Sequence, residues 1–394
     1  MISPGPNANA KPIAQYMIAA IEKFRRIFGI MGLSDAMIES KWLFQFAFCA
    51  VCLAIVWGST LERIKFHAHA IFALVFAGFI YPLASHWVFG GGWLQTNVGM
   101  QDFAGSTAVH LVGATGALAA LLVLGPRRGK YGGDGKPRPI PGHSMYILGL
   151  GMFILLIGWF GFNAGSTLGI TDGRFAEVAM VTMLGAAGGI LGAYFATVVF
   201  QRTVDIGMVC NGLIAGLVAI TAPSGYVENW AAPIIGIVGG LIVVPCILAI
   251  DKKVDDPVGV LSAHGAAGIW GTLACGLFTA PRFAQYAGVG NPEGGLVYSG
   301  SFQQLGDQAL GVVVVFALVL TLCLITWYAI SKTIGLRVTE EEEIAGLDIS
   351  EHGMYGYPEQ FIPDAELYGS PAAASIKLNG STPATAGSAE AAPA

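Results

Sequence analysis

Apolar residues along this chain come in long blocks, without the alternation of a strand or the single stripe of a soluble helix. Blocks near the ~20 residues needed to cross a bilayer run at about 42–60, 68–89, 103–125, 144–164, 176–200, 206–222, 229–250, 258–280 and 308–333. The pattern predicts an all-α polytopic membrane protein with about nine transmembrane helices spanning residues 42–333. The block at 206–222 is short, and the one at 258–280 is interrupted by polar residues.

The segments between blocks carry the orientation signal. Arg63 and Lys65 follow the first block, the basic stretch from Arg127 to Arg138 follows the third, and Arg202, Lys252, Lys253, Lys332 and Arg337 follow later odd-numbered ones. The opposite loops hold only Arg174 and Arg282. Cytoplasmic loops are enriched in Lys and Arg, so the odd-numbered exits and the C-terminus are expected in the cytoplasm of a multi-pass cell (plasma or inner) membrane protein. Residues 1–41 break the pattern: they are basic, and Ile13 to Ile30 reads as an amphipathic helix lying on a membrane surface. After the last block, residues 334–361 combine an acidic run with aromatic positions and are expected to pack at the cytoplasmic face. The tail 362–394, Ala/Ser/Gly/Pro/Thr-rich from 370 on, is expected to be disordered.

Composition agrees with the class. The 394 residues are 54% hydrophobic and 11% charged, against about 25% charged in a soluble domain. The 55 glycines suit closely packed membrane helices. The net charge of -5 says little, since nine of the 25 acids lie between Thr339 and Glu366. Six cysteines all fall in apolar stretches, and Cys49 with Cys52 reads as packing rather than a redox or zinc pair.

Two histidines stand out. His110 and His264 each sit inside a membrane-length apolar block, where a polar ring is costly unless it meets a partner or a cavity. They fall in the third and eighth blocks. A displacement of five spans reverses the chain's direction across the membrane, as in transporters built from inverted repeats around a midplane site. Asp102 precedes His110 on the same segment, about 12 Å away along a helix, and fits an N-cap; a purely structural cap and a substrate contact are both open. Phe44, Phe48, Phe89 and Phe162 crowd one level, with Ser166 four residues after Phe162 to accept a hydrogen bond. A ring face attracts a small cation by about 0.5–2 kcal/mol, although a single membrane Phe more often faces lipid or core. His67, His69, His86, His143 and His352 read as ordinary loop or helix-end residues. No H-E-x-x-H or Walker-A loop is present, so nothing points to an enzyme, a cofactor, a metal or nucleic acid.

Several stretches in order resemble the ammonium transporter (Amt/Mep/Rh) family, Amt branch. They are Leu61-Glu-Arg-Ile-Lys-Phe66, His86-Trp-Val-Phe-Gly-Gly-Gly-Trp-Leu94, Asp102-Phe-Ala-Gly-Ser, Gly158-Trp-Phe-Gly-Phe-Asn-Ala-Gly-Ser166, the run from Asn211, His264-Gly-Ala-Ala-Gly-Ile-Trp-Gly-Thr, and Gly335-Leu-Arg-Val through Gly346-Leu-Asp. The matching stretches extend from about residue 42 to 358. The resemblance implies an outer ammonium-recruitment site at Phe44 and Ser166, with Phe89 where Trp is usual and Asp102 as supporting acid. It implies a stacked gate of Phe48 and Phe162 and a twin-His pore of His110 and His264. It further implies a homotrimer, and a PII-type signal protein as a possible cytoplasmic partner. Three departures stand against the family pattern: two leading spans replaced by residues 1–41, Phe89 for Trp, and Gly259 where many members carry Asp. A non-conducting ammonium sensor or assembly partner, and a neutral-gas channel, are the alternative expectations.

Overall fold

The computed structural model describes residues 38–171, 173–354 and 356–357. The amphipathic segment expected over Ile13 to Ile30 and the tail 362–394 lie outside them. The chain divides into two compact units at Glu343/Ile344. The second includes the short helix Leu347–His352.

The first unit is helical. In order it contains α1 (Ile38–Thr60), α2 (Phe66–Val75), a π turn (Phe76–Ile80), α3 (Tyr81–Phe89), π turns at Leu94–Val98 and Ser106–Leu111, and α4 (Val112–Leu124). Then come α5 (Met145–Asn163), α6 (Arg174–Gln201), α7 (Ile206–Thr221), α8 (Ala231–Ile250), a π turn (Leu261–Ala266), α9 (Ala267–Phe278), α10 (Pro281–Ala287), α11 (Leu296–Ser299) and α12 (Gln303–Thr333). Two of these helices, α5 and α7, begin on a capping side chain. The Ser144 hydroxyl accepts the Ile147 N–H and Asp205 accepts the Met208 N–H, which satisfies otherwise orphaned donors.

Helix occupies all nine apolar blocks, but by length and composition seven described helices suffice to cross a membrane. The expected count of nine is not confirmed at two blocks. α7 has 16 residues, and the 258–280 block is a composite of the π turn Leu261–Ala266 and α9.

Packing places the histidine segments at the centre. Over the most apolar 18 residues of each, 83% of the residues are buried in Ser106–Leu124 but 6% in Met145–Thr167. α6, α7 and α8 meet through glycine. A Cβ on Gly189 would lie 2.3 Å from the Gly212 carbonyl oxygen, and one on Gly236 only 2.0 Å from that of Gly185. Lipid supplies no hydrophobic drive between helices, so such backbone approach and its dispersion contacts hold the package together. Val260 packs with Ile55, Ala114 and Ala117, joining the two halves below the pair of π turns.

Candidate functional site

His110 and His264 have the same local construction. Gly105, at φ +117°, turns the chain into the π turn Ser106–Leu111 that carries His110. Gly259, at φ +74°, leads into Leu261–Ala266, which carries His264. Positive φ is strained for any residue with a Cβ, so glycine fits both corners. A carboxylate braces each turn. Asp102 accepts the backbone N–H groups of Gly105, Ser106, Thr107 and Ala108 at 2.8–2.9 Å, two on each oxygen. Asp256 accepts the Leu261 N–H at 2.7 Å. Burial pushes the Asp102 carboxyl up to about 6, with its four N–H donors opposing.

The spacing is identical: Asp, Gly three residues on, and His eight residues on, in both halves. Sequence reasoning assigned a cap to Asp102 and gave Asp256 no role. The repeated spacing was the signal that would have found it.

The two imidazoles meet. Their Nδ1 atoms are 3.1 Å apart and the ring centroids 5.2 Å apart, so one ring donates and the other accepts, with the opposite tautomer on each. His110 is fully buried, and its Nε2 has no hydrogen-bond partner among the described residues; His264 is half-buried. The ring column continues away from them. Phe162 lies 5.4 Å from His110, Phe48 stacks on Phe162 at 4.2 Å and 14°, and Phe44 lies 4.4 Å from Phe48. Trp159 stacks beside His110 at 5.2 Å and 12°, held by its indole N–H donating to Thr221 at 3.0 Å. Trp159 was missed in the sequence, although it stands one helical turn before Phe162.

Ser166 donates its hydroxyl to the Phe162 carbonyl at 2.7 Å, and its oxygen keeps lone pairs free to accept. Phe44 reaches the same turn, since a Cβ on neighbouring Gly165 would lie 3.9 Å from its ring. Phe89 is buried in the same apolar cluster as Phe48. Among the described aromatic contacts it makes none with Phe44, Phe48 or Phe162. The described residues hold no group of three or more His, Cys, Asp or Glu able to bind a metal.

A second polar cluster anchors the residue just ahead of Asp256, on the approach to the His264 turn. Arg127 grips Asp255 with two side-chain bonds at 2.9–3.0 Å and its own backbone N–H at 2.7 Å. Arg63, fully buried, donates to four backbone carbonyls, including Asp255 O at 3.0 Å. Burial alone would raise the Asp255 pKa, but the Arg127 bonds and the Arg127 and Arg63 charges hold it below the usual carboxylate range. This accounts for Arg63 in the charged motif at Leu61 to Phe66.

The model of the Ammonium Transporter Family matches residues 13–357, beginning ahead of the motifs noted from residue 42. The chain belongs to the ammonium transporter family. That is a family of membrane transporters, not of enzymes. Ammonium transporter Amt2 of Archaeoglobus fulgidus is 41% identical over 343 residues, covering 84% of this chain and 73% of the relative. Ammonium transporter Amt1 of Haloferax mediterranei is 36% identical, covering 84% of this chain and 65% of that one. Among solved structures, a sensor Amt protein superposes with a TM-score of 0.72 at 34% identity, covering 78% of this chain and 75% of that one. Candida albicans Mep2 gives 0.70 at 31%, covering 82% and 70%. The all-helical Amt-like fold is common to them.

Proposed function

We propose that this chain moves ammonium or ammonia across the cell membrane, recruiting the cation at Phe44 and Ser166, deprotonating it, and passing ammonia along the twin-His pore. The observation that carries the reading is the hydrogen-bonded pair of His110 and His264 set beneath the stacked Phe48 and Phe162. Taking the whole ion through such walls would cost several kcal/mol in desolvation. Neutral ammonia avoids that cost once Phe48 and Phe162 part. The proton travels separately: one imidazole takes it at Nε2, the shared Nδ1 hydrogen shifts, and the other releases it from its own Nε2.

In this reading Asp102 braces the outer turn and Asp256 the inner one, and Phe89 is a wall residue of the outer vestibule. The loop charges support a cytoplasmic C-terminus. Residues 42–333 form the pore domain, with residues 334–361 at the cytoplasmic face. A homotrimer and a PII-type partner at that face rest on family membership and are part of the proposal.

The test is growth of a transporter-deficient host on limiting ammonium. The intact chain is expected to restore growth and His110→Ala to abolish it. Ammonium-evoked current in proteoliposomes is expected as well; uptake without current would exclude separate proton movement. Similarity to a sensor Amt protein supports a second reading, a non-conducting ammonium sensor. Ammonium binding by the purified protein, with neither growth nor uptake, would favour it.

A further inference from the structure

The residue just ahead of each bracing acid is gripped by a buried polar knot. In the second half that residue is Asp255, held by Arg127 and Arg63. In the first half it is Gln101, and the grip comes from α12, a helix that carries none of the pore residues. Gln308 and Gln304, both fully buried, project from its first turns.

Gln308 uses every hydrogen-bonding position of its carboxamide. Its Oε1 accepts the Gln101 N–H at 2.7 Å and a Gln304 N–H at 3.2 Å. Its Nε2 donates to the Gln101 carbonyl at 2.6 Å and to the Thr272 carbonyl at 2.9 Å. Two donors and two acceptors are the full capacity of a glutamine side chain. The bonds to both sides of the Gln101 residue mimic a backbone pair, and the bond to Thr272 ties that segment to α9. Around it, Thr279 donates to Gln101 Oε1 at 2.7 Å, and Gln304 donates to Gly99 O at 3.0 Å. The Thr107 and Thr272 hydroxyls meet at 2.6 Å.

Gln101 is followed by Asp102, whose cradle fixes the turn of His110; Thr272 sits eight residues beyond His264 on the helix that continues its turn. Gln308 therefore bonds the backbones of both histidine-bearing segments, as Arg63 does through Gly125 O and Asp255 O. We infer that Gln308 is a positioning residue for the imidazole pair, setting the register of the His110 turn against the His264 helix. This rests on the transport reading for its functional consequence but not for its structural one. An unmade bond here is expensive: an apolar side chain at 308 strands the Gln101 N–H and carbonyl in a dry interior. The Gln101–Asp102 segment then shifts, and displacements near 1 Å at a reacting pair cost up to about 100-fold in rate.

The test compares Gln308→Leu and Gln308→Glu in proteoliposomes and by imidazole nitrogen NMR of His110 and His264. Gln308→Leu is expected to lower the maximal transport rate about tenfold or more with KM for ammonium nearly unchanged, and to shift the paired Nδ1 signals. Gln308→Glu keeps an acceptor and, only when protonated, supplies one of the two donors. Its rate relative to wild type at the same pH should be highest below about pH 5 and fall above about pH 8, with the Nδ1 signals moving in step. Unchanged Nδ1 signals in either variant overturn the proposal, even if transport falls. If Gln308→Leu does not fold, the Glu variant decides by its two pH arms: a flat ratio and fixed signals overturn it. A wild-type protein that carries no ammonium would sink the transport reading alone, since the NMR arm still reads the positioning.

Discussion

Asp102 shows what one buried carboxylate does in this protein. Four backbone N–H bonds occupy both of its oxygens, so it acts on a cation only through its charge, at a distance. Asp102→Asn leaves part of the cradle facing an NH2 group that cannot accept. Each stranded donor costs about 1–3 kcal/mol, so the unfolding temperature in detergent should fall clearly; an unchanged melting curve would refute the bracing role. The cap was legible in the sequence, because an acid before an apolar run has one obvious use. Trp159 was not: nothing local distinguishes a Trp that stacks on a histidine from one that faces lipid.

At the scale of elements, the π turns matter most. Each accommodates an extra residue in the helical ladder and rotates the remainder of its helix by about 100°. Helical counting from Asp102 to His110 also fails for a simpler reason, since helix begins only at Ser106, after the turn at Gly105. The blocks themselves were legible to within a few residues, since apolar length is a direct signature of a spanning helix. The glycine package was legible as composition but not as contact. It separates two kinds of glycine. Gly189→Val would push a side chain into the Gly212 carbonyl and should cost about 1–3 kcal/mol or more. Gly151→Ala on α5, with no heavy atom within 4 Å, should be neutral or gain about 0.5–1 kcal/mol. Thermal unfolding by size-exclusion with fluorescence detection ranks the two, and equal melting temperatures would contradict the packing described.

Over the whole molecule, the two histidine segments are joined at opposite ends by different chemistry, amides at Gln101 and ions at Asp255. The ionic end should respond to acid. Asp255 has its folded pKa lowered, so its stabilising contribution is complete above its unfolded pKa of about 4. It is lost as pH falls through the folded value. Wild type should therefore lose melting temperature more steeply than Asp255→Asn as pH drops from 7 to 3; parallel acid limbs would show the Arg127 grip to be idle. The membrane class, the places of the helices and the two histidines in opposed halves can be read from the chain alone. They can because apolar length, loop charge and a polar ring in an apolar run are properties of short stretches of chain. The 3.1 Å contact of the imidazoles, the ring column from Phe44 to His264, and the grip of α12 on Gln101 were decided only by the tertiary structure. Each joins residues remote in the chain, and rotamers, π turns and helix crossings set such meetings through packing that no local pattern encodes.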